Sequence, residues 1–258
     1  MAWPRTLRTV VVTAAFTAAG AILGTASEHD AASAATKKPF VVVQAGHVAP
    51  REPGYRWQTG AGGGPFGNER DFNRRVSLAL ASRLRRHGIR VRVTPGKITP
   101  WAERADAFVA VHHDRAGGVA GVGHASSGAR EFFYRGDGAG EPRPTPYADT
   151  VPHRRATSVN KAIEHRSRRL AITISKRMAA LFTARNGARS GWDGVLPKRL
   201  VRTSNYYGFR RTRARARVIV EVGSAGADDG FLRKVDLIAV GLSRSIRDHL
   251  AAERARWR

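Results

Sequence analysis

Three short apolar runs constrain this chain more than any other feature: Phe40–Ala45 (FVVVQA), 107–111 (AFVAV) and 218–222 (VIVEV). Each is too short for a packed helix and is rich in valine, so each reads as a strand buried on both faces. Between them the spacing turns helical. Phe72, Val76, Leu80 and Leu84 recur on one face, Asn68 stands ahead as a cap, and Gly88 closes the run. Ile163, Leu170, Ile174, Met178 and Leu181 mark a long second helix. Phe231, Val235, Ile238, Leu242, Ile246 and Leu250 mark a last one. Residues 89–93 alternate apolar with Arg, as a half-buried strand does. Buried strands alternating with amphipathic helices predict an α/β fold. Its form is a single-domain, three-layer sandwich with a mostly parallel twisted sheet flanked by helices, over residues 38–258. Residues 48–67, 115–128 and 135–157 are rich in Gly and Pro and read as loops, with a short strand at 131–134; residues 186–216 read as irregular and very basic.

The first residues read differently. Arg5 and Arg8 precede an uncharged stretch, 10–26, which is followed by small-x-small sites at 24–26 and 32–34. That is the pattern of a secretory signal peptide over residues 1–34, and it predicts export. The stretch is marginal for spanning a bilayer, and no later apolar run is long enough, so no membrane span is expected after cleavage. Lys and Arg number 45 against 20 Asp and Glu, a net charge of +25. Cleavage would remove Arg5, Arg8, Glu28 and Asp30 and leave that charge unchanged. So basic a chain expects an acidic partner. Cysteine is absent, which excludes disulfides, thiolate metal sites and cysteine nucleophiles. No dinucleotide fingerprint and no phosphate-binding Gly-Lys-Ser/Thr loop follows a strand, which disfavours nucleotide cofactors.

In an open α/β sheet, ligands sit beyond the carboxyl ends of the strands. His47 follows the first run, His112 and His113 follow the second, and Glu221 lies within the third. Glu69 opens the first helix. Two His and one Glu with an open fourth position make a catalytic zinc site, and a further carboxylate beside it can act as general base. Other readings stand beside this one. Strand alternation lets only one of His112 and His113 face the site. The helix dipole alone would favour Glu69 at an N-terminus. Glu221 could instead pair with an arginine, because burying it alone would be costly.

The same residues carry a resemblance. Gly46-His47, then Glu69 opening a helix that ends in Leu84-Arg85-Arg86-His87-Gly88, then the strand 89–93, follow the order found in zinc-dependent N-acetylmuramoyl-L-alanine amidases. So do Arg104-Ala105-Asp106 leading into a strand that ends at His112, and Ile219-Val220-Glu221-Val222-Gly223 near the C-terminus. The sequence resembles that family over nearly the whole chain after the signal segment. It departs from it at Gln44-Ala45-Gly46-His47-Val48, where the family has Asp-Pro-Gly-His-Gly, at His113-Asp114 and at Ser224-Ala225-Gly226. The resemblance implies a divergent peptidoglycan amidase in which His47, Glu69 and His112 hold Zn²⁺ and Glu221 is the catalytic acid and base. The bond cleaved would join the lactyl group of N-acetylmuramic acid to L-alanine.

Among other residues, Arg189 and Arg202 are candidates to grip a substrate carboxylate. His113 and Asp114 read as tuning groups near the metal or as exposed polar residues. Residues 206–209 read as a stacking edge or as core, and the Arg-rich run 210–217 as a solvated basic face or a polymer contact. The expected partners are peptidoglycan and anionic cell-wall polymers at the cell wall, not nucleic acid, for which no recognition motif is present. Two alternatives remain: a non-catalytic wall-binding or regulatory protein on an amidase fold, and a zinc amidohydrolase or peptidase for another amide.

Overall fold

The architecture comes from a computed structural model, which describes residues 37–48, 60–96, 103–127, 157–197 and 206–256. The proposed signal segment, the strand expected at 131–134 and Arg202 lie outside these residues. The described elements lie in one compact unit, Lys38–Arg258.

Six strands form one sheet: β1 (Phe40–Ala45), β2 (Arg90–Pro95), β3 (Ala107–Asp114), β4 (Gly121–His124), β5 (Gly194–Val195) and β6 (Ala216–Ser224), in the order β2-β1-β3-β6-β4-β5. All neighbouring pairs are parallel except β4 with β6. The three apolar runs of the sequence are the three central strands, β1, β3 and β6. β4 falls in a stretch read from sequence as loop. Its Gly121-Val122-Gly123-His124 has too few β-formers to stand out, and pairing with β6 overrides that weak local preference.

The helices are α1 (Glu69–Arg86), α2 (Lys161–Leu181), a short α3 (Asp229–Leu232) and α4 (Val235–Ala255). The side-chain oxygen of Asn68 accepts from the Asp71 N–H at 3.0 Å, and that of Asn160 from the Ile163 N–H at 2.9 Å. Each such cap is worth about 1 kcal/mol. The last helix of the sequence reading is therefore two pieces, with Phe231 in α3 and the rest of its apolar face in α4.

Strand alternation divides the core. Val41, Val43, Val109, Val111, Val218 and Val220 face the helices and pack with Phe72 and Leu80 of α1, Leu170 and Ile174 of α2, and Leu242 and Ile246 of α4. Val42, Phe108, Ala110 and Ile219 face the other way and pack under Phe209, Ala214 and Val159. Among the described residues, the long helices thus share one side of the sheet, and the segment around Phe209 covers the other.

That second side is closed by a buried arginine. Arg217 is 1% exposed. Its guanidinium donates to the carbonyls of Ala214 (2.9 Å), Ser158 (3.4 Å) and Phe209, and to Thr157 Oγ1 (3.2 Å). Burial, with Arg210 nearby, pushes its pKa down to about 10. Arg211 is buried as well, while Arg213 and Arg215 are exposed. The run 210–217 is therefore not one solvated basic face, since two of its five arginines are buried.

Two buried ionisable groups make stability depend on pH. Asp228, fully buried after β6, accepts from the N–H groups of Ser224 (2.8 Å), Arg189 (2.9 Å) and Ser190 (2.9 Å) and from both serine hydroxyls. Burial alone would raise its pKa, but these donors outweigh burial and lower it. Its contribution is therefore complete above the ordinary Asp range and lost as pH falls through the lowered folded value. Asp228→Asn is expected to cost about 2–4 kcal/mol at pH 7 in urea unfolding. The gap to wild type should shrink below about pH 3.9, the unfolded Asp value. His249 on α4 is 4% exposed. Burial, helped by Arg169, Arg256 and Arg166, outweighs the opposing charge of Glu253 and pushes its pKa down to about 4. The neutral ring is then the folded form, so stability is complete above about pH 6.5 and falls until about pH 4. His249→Leu should remove up to about 3 kcal/mol of that pH dependence across this window, read from urea midpoints.

Candidate metal centre

The parallel strands bring their carboxyl ends to one edge, and three side chains meet there. Among the described residues, His47, Glu69 and His112 form a group in which one ligand atom from each lies within 4.8 Å of the others. His47 Nε2 is 3.5 Å and His112 Nδ1 2.8 Å from Glu69 Oε1. The two imidazoles meet edge to face, with centroids 5.0 Å apart.

Local backbone puts each residue in place. His47 leaves β1 with φ 58°, a left-handed conformation that costs a non-glycine residue roughly 1–3 kcal/mol. This turns its ring toward Glu69 instead of letting the strand continue. Glu69 is the first residue of α1. Its Oε2 accepts from the Ala61 N–H at 2.8 Å, and its Oε1 from Asn73 Nδ2 at 3.1 Å. Asn73 Nδ2 also donates to the Gly46 carbonyl at 2.9 Å, which ties α1 to the end of β1. Gly46 must be glycine, because a Cβ there would sit 2.4 Å from the His112 ring. His112 lies on the side of β3 away from the helices, level with Glu221 on β6. Glu221 is therefore one strand away, and its charge acts on His112.

Burial works against charge at both central groups, and at both the neighbouring charge outweighs it. Burial would raise the Glu69 pKa, but the hydrogen bond to His112 and the charges of His47 and His112 hold it well below the usual carboxylate range. Burial would lower the His112 pKa, but the hydrogen bond and charge of Glu69, with Glu221 and Asp114, hold it above 6.5. Opposite charge on a neighbour is the cause in each case. Two imidazoles and a carboxylate on one point are a donor set suited to a zinc-like cation, with a position left open.

The structure separates residues the sequence left together. His113 turns to the helix side, where it is 1% exposed with its ring edge on Phe72. It is thus neither exposed nor beside the cluster, as strand alternation requires. Asp114 accepts from the Arg115 and Val119 N–H groups and shapes the turn after β3. Arg189 is exposed, and its backbone N–H is what binds Asp228. Phe209 is core, but Tyr206 reaches the cluster: its hydroxyl lies 3.2 Å from His112 Nε2 and 2.5 Å from Gln44 Oε1. Asn73 and Gln44 were not singled out by sequence. Gln44 had a visible signal, since a glutamine inside FVVVQA is a buried polar group that needs a partner.

Comparison with known proteins points to one family. A family model described as N-acetylmuramoyl-L-alanine amidase matches residues 41–234. Similar folds are found in the N-acetylmuramyl-L-alanine amidase Ami1 from Mycobacterium smegmatis (TM-score 0.54, 16% identity, 83% of this chain and 97% of that one). Ami1 from Mycobacterium abscessus is also similar (0.50, 18%, 82% and 98%). A third is the CwlD amidase from Clostridioides difficile, solved in complex with the GerS lipoprotein (0.50, 15%, 83% and 100%). At these identities the structures show a shared fold. No curated protein matches the sequence. Three-quarters of the chain lies within the family match, and on that ground the protein belongs to the N-acetylmuramoyl-L-alanine amidase family, whose members act on the peptidoglycan of the cell wall.

Proposed function

We propose that this chain hydrolyses the amide between the lactyl group of N-acetylmuramic acid and the L-alanine of peptidoglycan stem peptides. In this reading His47, Glu69 and His112 hold Zn²⁺, and Glu221 is the general base and acid. The observation that supports it most is the convergence of the three donor atoms with Glu221 in register one strand away. When bound, zinc supplies Lewis acidity, lowering the pKa of water at the open position and polarising the amide carbonyl. Glu221 takes one proton from the attacking water. The water oxygen joins the carbonyl carbon, the C–N bond breaks, and Glu221 returns the proton to the leaving nitrogen. The products are a lactyl carboxylate and a peptide with a free alanine amine. Asn73 and the Ala61 N–H orient Glu69, and the Gly46–His112 contact excludes solvent behind the ligand.

The +25 charge and the N-terminal segment extend the proposal to an exported enzyme, with residues 38–258 as its catalytic domain, that adheres to anionic wall polymers. No helix among the described residues is long and apolar enough to cross a membrane. The acids of α4 are used within the protein: Asp236 pairs with Arg83, Asp248 with Arg177, and Glu253 with Arg169 and Arg166. Exposed arginines such as Arg70, Arg74 and Arg244 are left to set the outward charge of the helices.

Digestion of muramyl peptides by the zinc-loaded protein should release peptides with a free N-terminal alanine, identified by mass. Glu221→Ala should keep zinc and lose about 10²–10⁴-fold in kcat. A metal-loaded wild type that binds sacculi but leaves this bond intact would favour the non-catalytic alternative. A second expectation concerns salt. Binding to sacculi should weaken steeply between low and physiological ionic strength, while turnover of a small soluble muramyl peptide changes little. Equal sensitivity of both would place the charge effect at the active site.

A further inference from the structure

A polar chain runs behind the candidate metal centre, and it has a direction. It begins at a fixed backbone carbonyl. Gly96 follows β2 and is pressed against the end of β1, so that a Cβ on it would lie 2.1 Å from the His47 nitrogen. Its N–H donates to the Val48 carbonyl at 3.1 Å. Gln44, fully buried on β1, donates from Nε2 to the Gly96 carbonyl at 2.9 Å. A carbonyl cannot donate, so the amide cannot be flipped, and Gln44 must present Oε1 on its other side. Tyr206 lies 2.5 Å from that oxygen. Gln44 Oε1 carries no hydrogen, so the Tyr206 hydroxyl donates to it. The hydroxyl has one proton, and that proton is now used. Toward His112 Nε2, 3.2 Å away, the Tyr206 oxygen can only accept.

We infer that Gln44 and Tyr206 are positioning residues that fix the proton of His112 on Nε2, so that His112 binds its metal through Nδ1. The inference rests on the proposed metal-holding role of His47, Glu69 and His112. Nδ1 is the ring atom that faces Glu69 Oε1, at 2.8 Å, and hence the cluster. The polarity of a backbone carbonyl at the end of β2 is thus carried through an amide and a phenol to the tautomer of a ligand on β3. His47 has the opposite arrangement, with Nε2 toward Glu69. The same hydrogen bond holds the ring plane, since Tyr206 meets it edge to face at 5.5 Å and 83°. Partners of this kind orient a ligating imidazole and raise its basicity, and losing one typically costs about 10–100-fold in metal affinity. From sequence, Tyr206 reads as part of a substrate-stacking edge or of the core. The chain from Gly96 assigns it to the metal ligand.

The test uses the full chain loaded with zinc, ¹⁵N-labelled at histidine. Long-range ¹H–¹⁵N spectra report which nitrogen of His112 carries hydrogen and which binds metal, and chelator competition gives zinc affinity. The expected wild-type result is a metal-bound Nδ1 and a hydrogen-bonded Nε2–H. Tyr206→Phe should move that Nε2–H resonance to the position of an unbonded N–H and lower zinc affinity about 10–100-fold. Gln44→Leu keeps the phenol but releases its proton, so the Tyr206 oxygen is no longer held as an acceptor toward Nε2. In the zinc-loaded protein it should move the His112 Nε2–H resonance part of the way toward the Tyr206→Phe position, which a residue that merely fills space would not do. Metal binding through Nε2 of His112 overturns the inference, as does a Tyr206→Phe variant with wild-type zinc affinity and an unmoved resonance. A wild type that binds no zinc overturns the metal-site reading along with it, whereas zinc held by a chain indifferent to Tyr206 overturns this inference alone.

Discussion

Parallel pairing of β1 with β3 and of β3 with β6 aligns Ala45 with Val111 and His112 with Glu221. Everything chemical in this chain depends on that register. A slip of one residue between β3 and β6 would turn Glu221 to the helix side, into Val109 and Val111, where an unpaired carboxylate costs several kcal/mol. The valines that alternate with it therefore do two things. They bury the helix side of the sheet, and by doing so they hold the polar residues on the other side in line. The polar edge is a by-product of apolar packing, which is why it can be so sparsely built: two histidines, two glutamates and the few groups that orient them.

Around that edge the chain accepts unfavourable local states. His47 sits at positive φ, Gly46 gives up a side chain so that the His112 ring can lie against the backbone, and Gly60, also at positive φ, leaves room beside Glu69 and His47. Among the described residues, His47 is the only non-glycine at positive φ. Behind the edge the helix side is closely packed, with Phe72, Leu80, Ile174 and Leu242 all fully buried.

Much of this was legible in the sequence because it is periodic. The three valine-rich runs and the 3–4 spacing of the helices placed β1, β3, β6, α1, α2 and α4. Residues at strand ends then named the cluster His47, Glu69, His112 and the neighbouring Glu221. What escaped was set by tertiary contact. β4 and β5 are short and glycine-bearing, and exist through their pairing with each other and with β6. Arg211 and Arg217 look like any arginine in a basic run; Arg217 is buried because it is the second residue of β6 and turns to the side packed under Phe209. His113 resembled His112 in every local respect, yet one step of the pleat sends it to Phe72. Tyr206 lies 94 residues from His112 in the chain, and no local pattern could announce that contact.

The buried guanidinium of Arg217 has a consequence for how the molecule moves. One side chain, rooted in the central strand β6, holds the carbonyls of Ser158, Phe209 and Ala214, while Thr157 holds those of Arg210 and Thr212. Polar latches of this kind open together or not at all, because releasing one carbonyl leaves the charged group half satisfied in a dry site. Residues 209–214 and the entry to α2 at Thr157 and Ser158 are therefore expected to loosen together in local unfolding. The Phe209 N–H donates to the Tyr206 carbonyl at 2.9 Å, so the tyrosine beside His112 is tied to a clasp that lies four residues back along the strand that carries Glu221.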